Sequence, residues 1–221
     1  MIASPVMAVA LAVAAASATA APAPEAVDLT GHQSEAGKVF PYIEHFLKMA
    51  AADHTDYTVA YYFRRDGKPA GDAGAVLTDG TTRIPLPVNA DGRFLTLPTL
   101  AEVQNHDMVS FNASSGTKMK VRIGLAPLAP PALNMDAGTL TRAIWQANSA
   151  IHHLVGPFSV AVPRLRSALF DSAEGGAAVM ADGTTVPLPL KKDGPYYDPS
   201  KIRNAVNLTF TKAAVHIDIQ P

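Results

Sequence analysis

The 221 residues carry 18 Lys and Arg against 19 Asp and Glu, a formal net charge of -1. The two signs are interspersed, so the chain lacks the basic stripe a nucleic-acid partner requires, while an apolar fraction of 48% supplies a buried core. There is no cysteine, which excludes disulfides, thiol catalysis, Cys-type zinc sites, iron–sulfur clusters and lipid attachment through an N-terminal Cys.

Residues 1–20 are uncharged, rich in Ala, Val, Leu and Met, and followed by Ala21-Pro22-Ala23-Pro24. A short apolar run ending in small residues is the pattern of a secretory signal peptide, with cleavage expected after Ala18-Thr19-Ala20, although no Lys or Arg precedes the run. The run is too Ala-rich and too interrupted by Ser, Thr and Pro for a membrane anchor, and no later segment reaches spanning length. The mature chain is therefore expected in the periplasm or outside the cell, with no membrane span.

Ile43, Phe46, Leu47 and Ala50 recur at helical spacing, which predicts a helix over Phe40 to Met49 with Pro41 in its first turn. A polar loop follows, Asp53-His54-Thr55-Asp56. Strand-like runs rich in Val, Thr, Tyr and Phe come next at Tyr57–Arg65, Ala75–Thr78, Arg83–Leu86, Met108–Asn112 and Lys118–Leu125, with a short helical segment at Thr99–Asn105 between them. Asp79-Gly80 favours the positive backbone angles of a tight hairpin, and Pro85-Leu86-Pro87 belongs at a sheet edge because proline removes a ladder donor. A Pro-rich linker spans 127–135.

The second half begins with a helix in which Leu140, Ile144, Ala147, Ile151 and Leu154 share a face, with Asp136 or Thr139 as its cap and Gly156-Pro157 as its stop. Val179-Met180-Ala181-Asp182-Gly183-Thr184-Thr185-Val186-Pro187-Leu188-Pro189 then echoes Val76 to Pro87, and Asp193-Gly194 echoes Asp91-Gly92. Upstream, Ser159 to Val162 falls opposite Asp56 to Ala60; downstream, Ser200–Ala205 matches the short helix. Val215 to Gln220 closes the chain as an alternating strand, with His216 toward solvent. An ordered echo at fixed spacing is the signature of an internal repeat. The expected fold is α+β: a signal peptide over 1–20 and two tandem repeats, 33–126 and 136–221, each a long helix packed on a small antiparallel sheet.

Catalytic signatures are missing. There is no His-Glu-x-x-His pair, no Gly-x-Ser-x-Gly elbow, no Gly-rich phosphate loop and no spacing that forces histidines onto a shared metal, so no cofactor or metal is expected. Asp53, His54 and Asp56 form the nearest acid–base cluster, either a grafted site or a plain polar loop. Tyr61, within Tyr61-Tyr62-Phe63, and the pair Tyr196-Tyr197 offer flat hydrogen-bonding contact surfaces, or else cover the sheet. Two functions follow: a non-catalytic envelope-associated binding protein for an unknown protein or small ligand, or a cofactor-independent extracytoplasmic hydrolase using carboxylates or the His54 loop. In a duplicated chain the seam between the copies is the first place to look for a site.

Overall fold

A computed structural model describes residues 27–29, 33–72, 74–112, 117–155 and 163–221. The signal-like segment 1–20, the Gly156-Pro157 stop and the run Ser159 to Val162 lie outside the described residues.

The first half runs β1 (Val27–Leu29), β2 (Gln33–Glu35), α1 (Ala36–Val39), α2 (Ile43–Lys48), a 3-10 turn (Ala51–His54), β3 (Tyr57–Arg65), β4 (Lys68–Pro69), β5 (Ala75–Thr78), β6 (Arg83–Leu86), α3 (Leu100–Gln104), β7 (Met108–Ser110) and β8 (Met119–Pro127). The second runs β9 (Asn134–Asp136), α4 (Ala137–Val155), β10 (Ser167–Asp171), β11 (Ala177–Met180), β12 (Thr185–Pro187), β13 (Leu190–Lys191), β14 (Gly194–Tyr197), β15 (Ala205–Thr209) and β16 (His216–Gln220).

These strands form three antiparallel sheets, and they overturn the expected pair of helix-on-sheet repeats. One eight-stranded sheet takes strands from both halves in the order β13-β14-β10-β16-β8-β3-β4, with β1 also on β8. Two four-stranded sheets, β2-β7-β5-β6 and β9-β15-β11-β12, stay within their own halves. The chain is mostly β, and α4 is its only long helix among the described residues. The halves meet where β16 joins β8 at one register pair, Ile219 opposite Leu125, which continues one sheet from β10 and β16 into β8 and β3.

The helix expected over Phe40 to Met49 is shortened to α2, Ile43–Lys48, and a break at 40–42 separates it from the preceding short helix α1. Pro41 has no amide to donate, Tyr42 sits in the left-handed region at φ 64°, and the Tyr61 hydroxyl donates to the Pro41 carbonyl at 2.6 Å. In the second half no proline intervenes, and α4 runs for 19 residues. Its start follows the cap read from the sequence: Asp136 Oδ1 accepts from the Thr139 amide at 2.6 Å. The α3 segment has a full capping box between Thr99 and Glu102, whereas Ser200–Ala205 is not helical but a turn leading into β15.

Strand alternation sorts the side chains. Val59, Tyr61 and Phe63 of β3 and Met119 and Val121 of β8 pack with Phe40, Ile43, Leu77 and Val109 in one core. Phe170, Ile217 and Ile219 pack with Leu140, Ile144, Tyr197 and Leu208 in a second, which also takes Tyr57 from the first half. Phe46 and Leu125 touch both cores. The Pro-rich connection is strapped down: the Leu128 amide donates to Asp56 O at 2.8 Å, the Phe210 amide to Leu133 O at 2.8 Å, and Ala129 and Ala132 pack on the second core.

Candidate functional site

On the central sheet's other face, Ala60, Tyr62 and Ala126 are buried apart from both cores, and around them the two halves bring together a polar cluster. Tyr62 projects from β3 across β8, and its hydroxyl donates to Asp218 Oδ1 of β16 at 2.8 Å. It can cross because residue 124 is glycine: a Cβ there would stand 3.2 Å from Tyr62 Cε2 and 3.6 Å from Asp218 Oδ1. Arg122 of β8 lies 5.0 Å over the Tyr62 ring and donates to Asp218 Oδ2 at 3.1 Å. His216 of β16 faces the other side, its Nε2 3.2 Å from Asp171 Oδ2 and 3.6 Å from Asp218 Oδ2, and its ring is 5.4 Å from that of Tyr62. The expected solvent-facing His216 is instead a packed one, with 14% of its side chain exposed.

The electrostatics follow from those contacts. Burial opposes charge on His216, but the hydrogen bond to Asp218 and the charges of Asp218, Asp171 and Asp91 outweigh it and raise its pKa. Burial likewise pushes Asp218 up, and His216, Tyr62 and Arg122 together hold it below the ordinary aspartate range. The Tyr62 phenol is raised, first by burial and then by the neighbouring Asp218 carboxylate.

Beside this cluster is a cleft of about 240 Å³, lined by Thr58, Arg93, Ala126 and Ile217 and walled by the strapped segment Pro127 to Pro131. Arg93 is positioned by an Asn89 turn, in which Asn89 Oδ1 accepts from the Asp91 and Arg93 amides at 3.1 and 2.8 Å, and by a bridge to Tyr62. Its guanidinium makes no hydrogen bond or ion pair among the described residues, and it is the only ionisable side chain lining the cleft. A second, shallower depression is ringed by Asp171, Glu174, Lys191, Lys192, Asp193 and Lys212.

The residues singled out from sequence are dispersed. Tyr61 is fully buried in the first core and Tyr197 nearly so in the second, where its hydroxyl meets Thr141 Oγ1 at 3.3 Å. Tyr196 is half-buried with Lys191 4.9 Å over its ring. Asp53 is exposed, and His54 is half-buried against Phe46 at 4.7 Å between ring centroids. Asp56 pairs not with His54 but with Arg142 of α4, at 3.3 and 3.4 Å, while its amide donates to Gln146 Oε1 at 2.9 Å. The 53–56 loop is thus a clasp on α4. The Asp171, His216, Asp218, Tyr62 and Arg122 set was missed; its one sequence signal is the alternation that puts His216 and Asp218 on a single face of β16.

No grouping of three or more His, Asp or Glu among the described residues could hold a metal ion, and no helix among them is long and apolar enough to cross a membrane. No family model, curated protein or solved structure gives a significant match to the chain.

Proposed function

We propose that the chain is an exported, non-catalytic binding protein that takes a small ligand in the seam cleft. The carrying observation is Arg93, whose guanidinium makes no hydrogen bond or ion pair among the described residues and lines an otherwise uncharged cleft. Such a site fits a compact, largely apolar molecule with one carboxylate, the apolar part against Pro127 to Pro131 and the acid on Arg93. Export is supported by the 1–20 segment, and the echoed Asp-Gly strings support descent of both halves from one duplicated strand-rich unit whose sheets have fused.

An NMR titration of the processed protein with hexanoate and with benzoate tests the site. Saturable shifts at Thr58, Arg93 and Ala126 that vanish in Arg93→Ala are expected; shifts unaffected by that substitution overturn the assignment. N-terminal sequencing of the secreted product tests export, with Ala21 as the expected first residue. The second reading, a cofactor-independent hydrolase, draws on the Asp171, His216 and Asp218 cluster. An esterase activity abolished in His216→Gln would favour it.

A further inference from the structure

The seam has little backbone to hold it. Between β3 and β8 the ladder runs through nine residue pairs, from Tyr57 opposite Pro127 to Arg65 opposite Met119, and between β10 and β16 through five. Between β8 and β16 there is a single register pair, Leu125 opposite Ile219, because β1 occupies the earlier part of the same β8 edge at residues 119–121. On the outer face the halves are joined by side chains converging on one carboxylate: Asp218 takes the Tyr62 hydroxyl and the Arg122 guanidinium from the first half and faces His216 from its own.

The groups around His216 come from every element packed against it. Asp171 of β10 and Asp218 of β16 face Nε2, the Tyr62 ring of β3 covers its face, Arg122 of β8 sits beyond that ring, and the Asp91 carboxylate of the turn after β6 adds its field. Its Nδ1 is buried with no hydrogen-bond partner among the described residues, so its contacts to the two carboxylates run through Nε2. With a proton on both nitrogens, one cation sits between two anions. With one proton lost, two carboxylates face a neutral ring, and only the half-exposed Arg122 balances them.

We propose that His216 is the proton-operated pin of a latch across the seam: protonated, it bridges Asp171 and Asp218 and fixes Asp218 for Tyr62 and Arg122; neutral, it lets the β8–β16 junction loosen. The sign is set by the two key groups. His216, raised in the folded state, contributes fully below its unfolded value of about 6.5 and is lost as pH rises through the folded value. Asp218, lowered in the folded state, contributes above its unfolded value of about 3.9 and is lost as pH falls through the folded one. The latch is tightest between roughly pH 4 and 6.5, where both charges are present, and it opens on the alkaline side. This mechanism is independent of what occupies the cleft.

Amide hydrogen exchange on the full processed chain between pH 5.5 and 8, corrected for intrinsic exchange, tests it. Protection of residues 121–126 and 216–220, relative to β5 and β11 in the small sheets, is expected to be lost progressively over that range, in step with the raised titration of His216. In His216→Gln the ratio is expected to be low and flat. A constant ratio in the parent protein, or a His216→Gln profile that tracks the parent, overturns the latch. Should His216→Gln not fold, the imidazole resonances decide: His216 must titrate above a free histidine, and Asp171→Asn must shift that titration down. A His216 titrating at or below the free value, or unmoved by Asp171→Asn, overturns it equally.

Discussion

Tyr62 and Asp218 lie 156 residues apart in the chain, yet their side chains meet at 2.8 Å directly over Gly124. The bond exists because the intervening strand has no side chain at that point. Gly124→Ala would place a methyl 3.2 Å from the Tyr62 ring, and displaced packing of about 1–3 kcal/mol outweighs the ~0.5–1 kcal/mol that alanine gains in a strand. A lower urea midpoint is expected; a variant as stable as the parent would refute the crossing. Tyr62→Phe should lose about 0.5–1.5 kcal/mol, since Asp218 keeps Arg122 and His216.

The echoed glycines divide into two energetic classes. A Cβ at Gly92 would stand 2.3 Å from the Phe63 carbonyl oxygen, and one at Gly194 2.1 Å from that of Phe170. Neither carbonyl can retreat without breaking its strand, so Gly92→Ala and Gly194→Ala are each expected to cost more than about 3 kcal/mol. At the hairpin glycines 80 and 183, φ is 78° and 83° and nothing lies within 4 Å, so alanine there incurs only the left-handed backbone cost of about 1–2 kcal/mol. Thermal melts of the four variants rank the sites.

The clasp between the 53–56 loop and α4 is predicted to act mainly through its amide. The Arg142 side chain is 59% exposed, so a double-mutant cycle with Asp56 should give a coupling of only ~0.2–1 kcal/mol that fades in salt. Gln146→Ala removes the acceptor of the Asp56 amide and should cost about 1–2 kcal/mol regardless of salt. Equal salt dependence for the two variants would contradict this division.

Alkaline unfolding should follow the buried phenols. Burial, with the Asp53 charge adding to it, pushes Tyr57 up to about 12, and burial also raises Tyr61, Tyr62 and Tyr197. Groups raised in the folded state stabilise it below their unfolded value of about 10, and that contribution is lost as pH climbs through the folded value. Absorbance at 295 nm should therefore show these four ionising together with the loss of circular dichroism above pH ~10. Their ionisation in a still-folded chain would show the burial to be incomplete.

Much of the local structure was legible. Tyr57–Arg65, Ala75–Thr78 and Arg83–Leu86 match β3, β5 and β6 residue for residue, because their β-branched and aromatic runs are bounded by Gly- and Asp-containing turns. The Asp136 cap was readable for the same reason, being set within four residues. The break at Tyr42 was not: Pro41 suits a first helical turn as well as an interruption, and the Tyr61 hydroxyl that holds its carbonyl comes from another strand.

By itself the sequence determined which segments pair as hairpins, which faces are apolar, the absence of thiol chemistry and the echo between the halves, all of which depend on neighbours a few residues apart. Only the tertiary structure decided that β8 and β16 share one sheet, that Asp56 pairs with Arg142 and not His54, and that His216 turns inward to Asp171 and Asp218. Strand alternation assigns a side chain to a face but carries no information on which strand lies alongside, and every contact of the seam cluster depends on that adjacency.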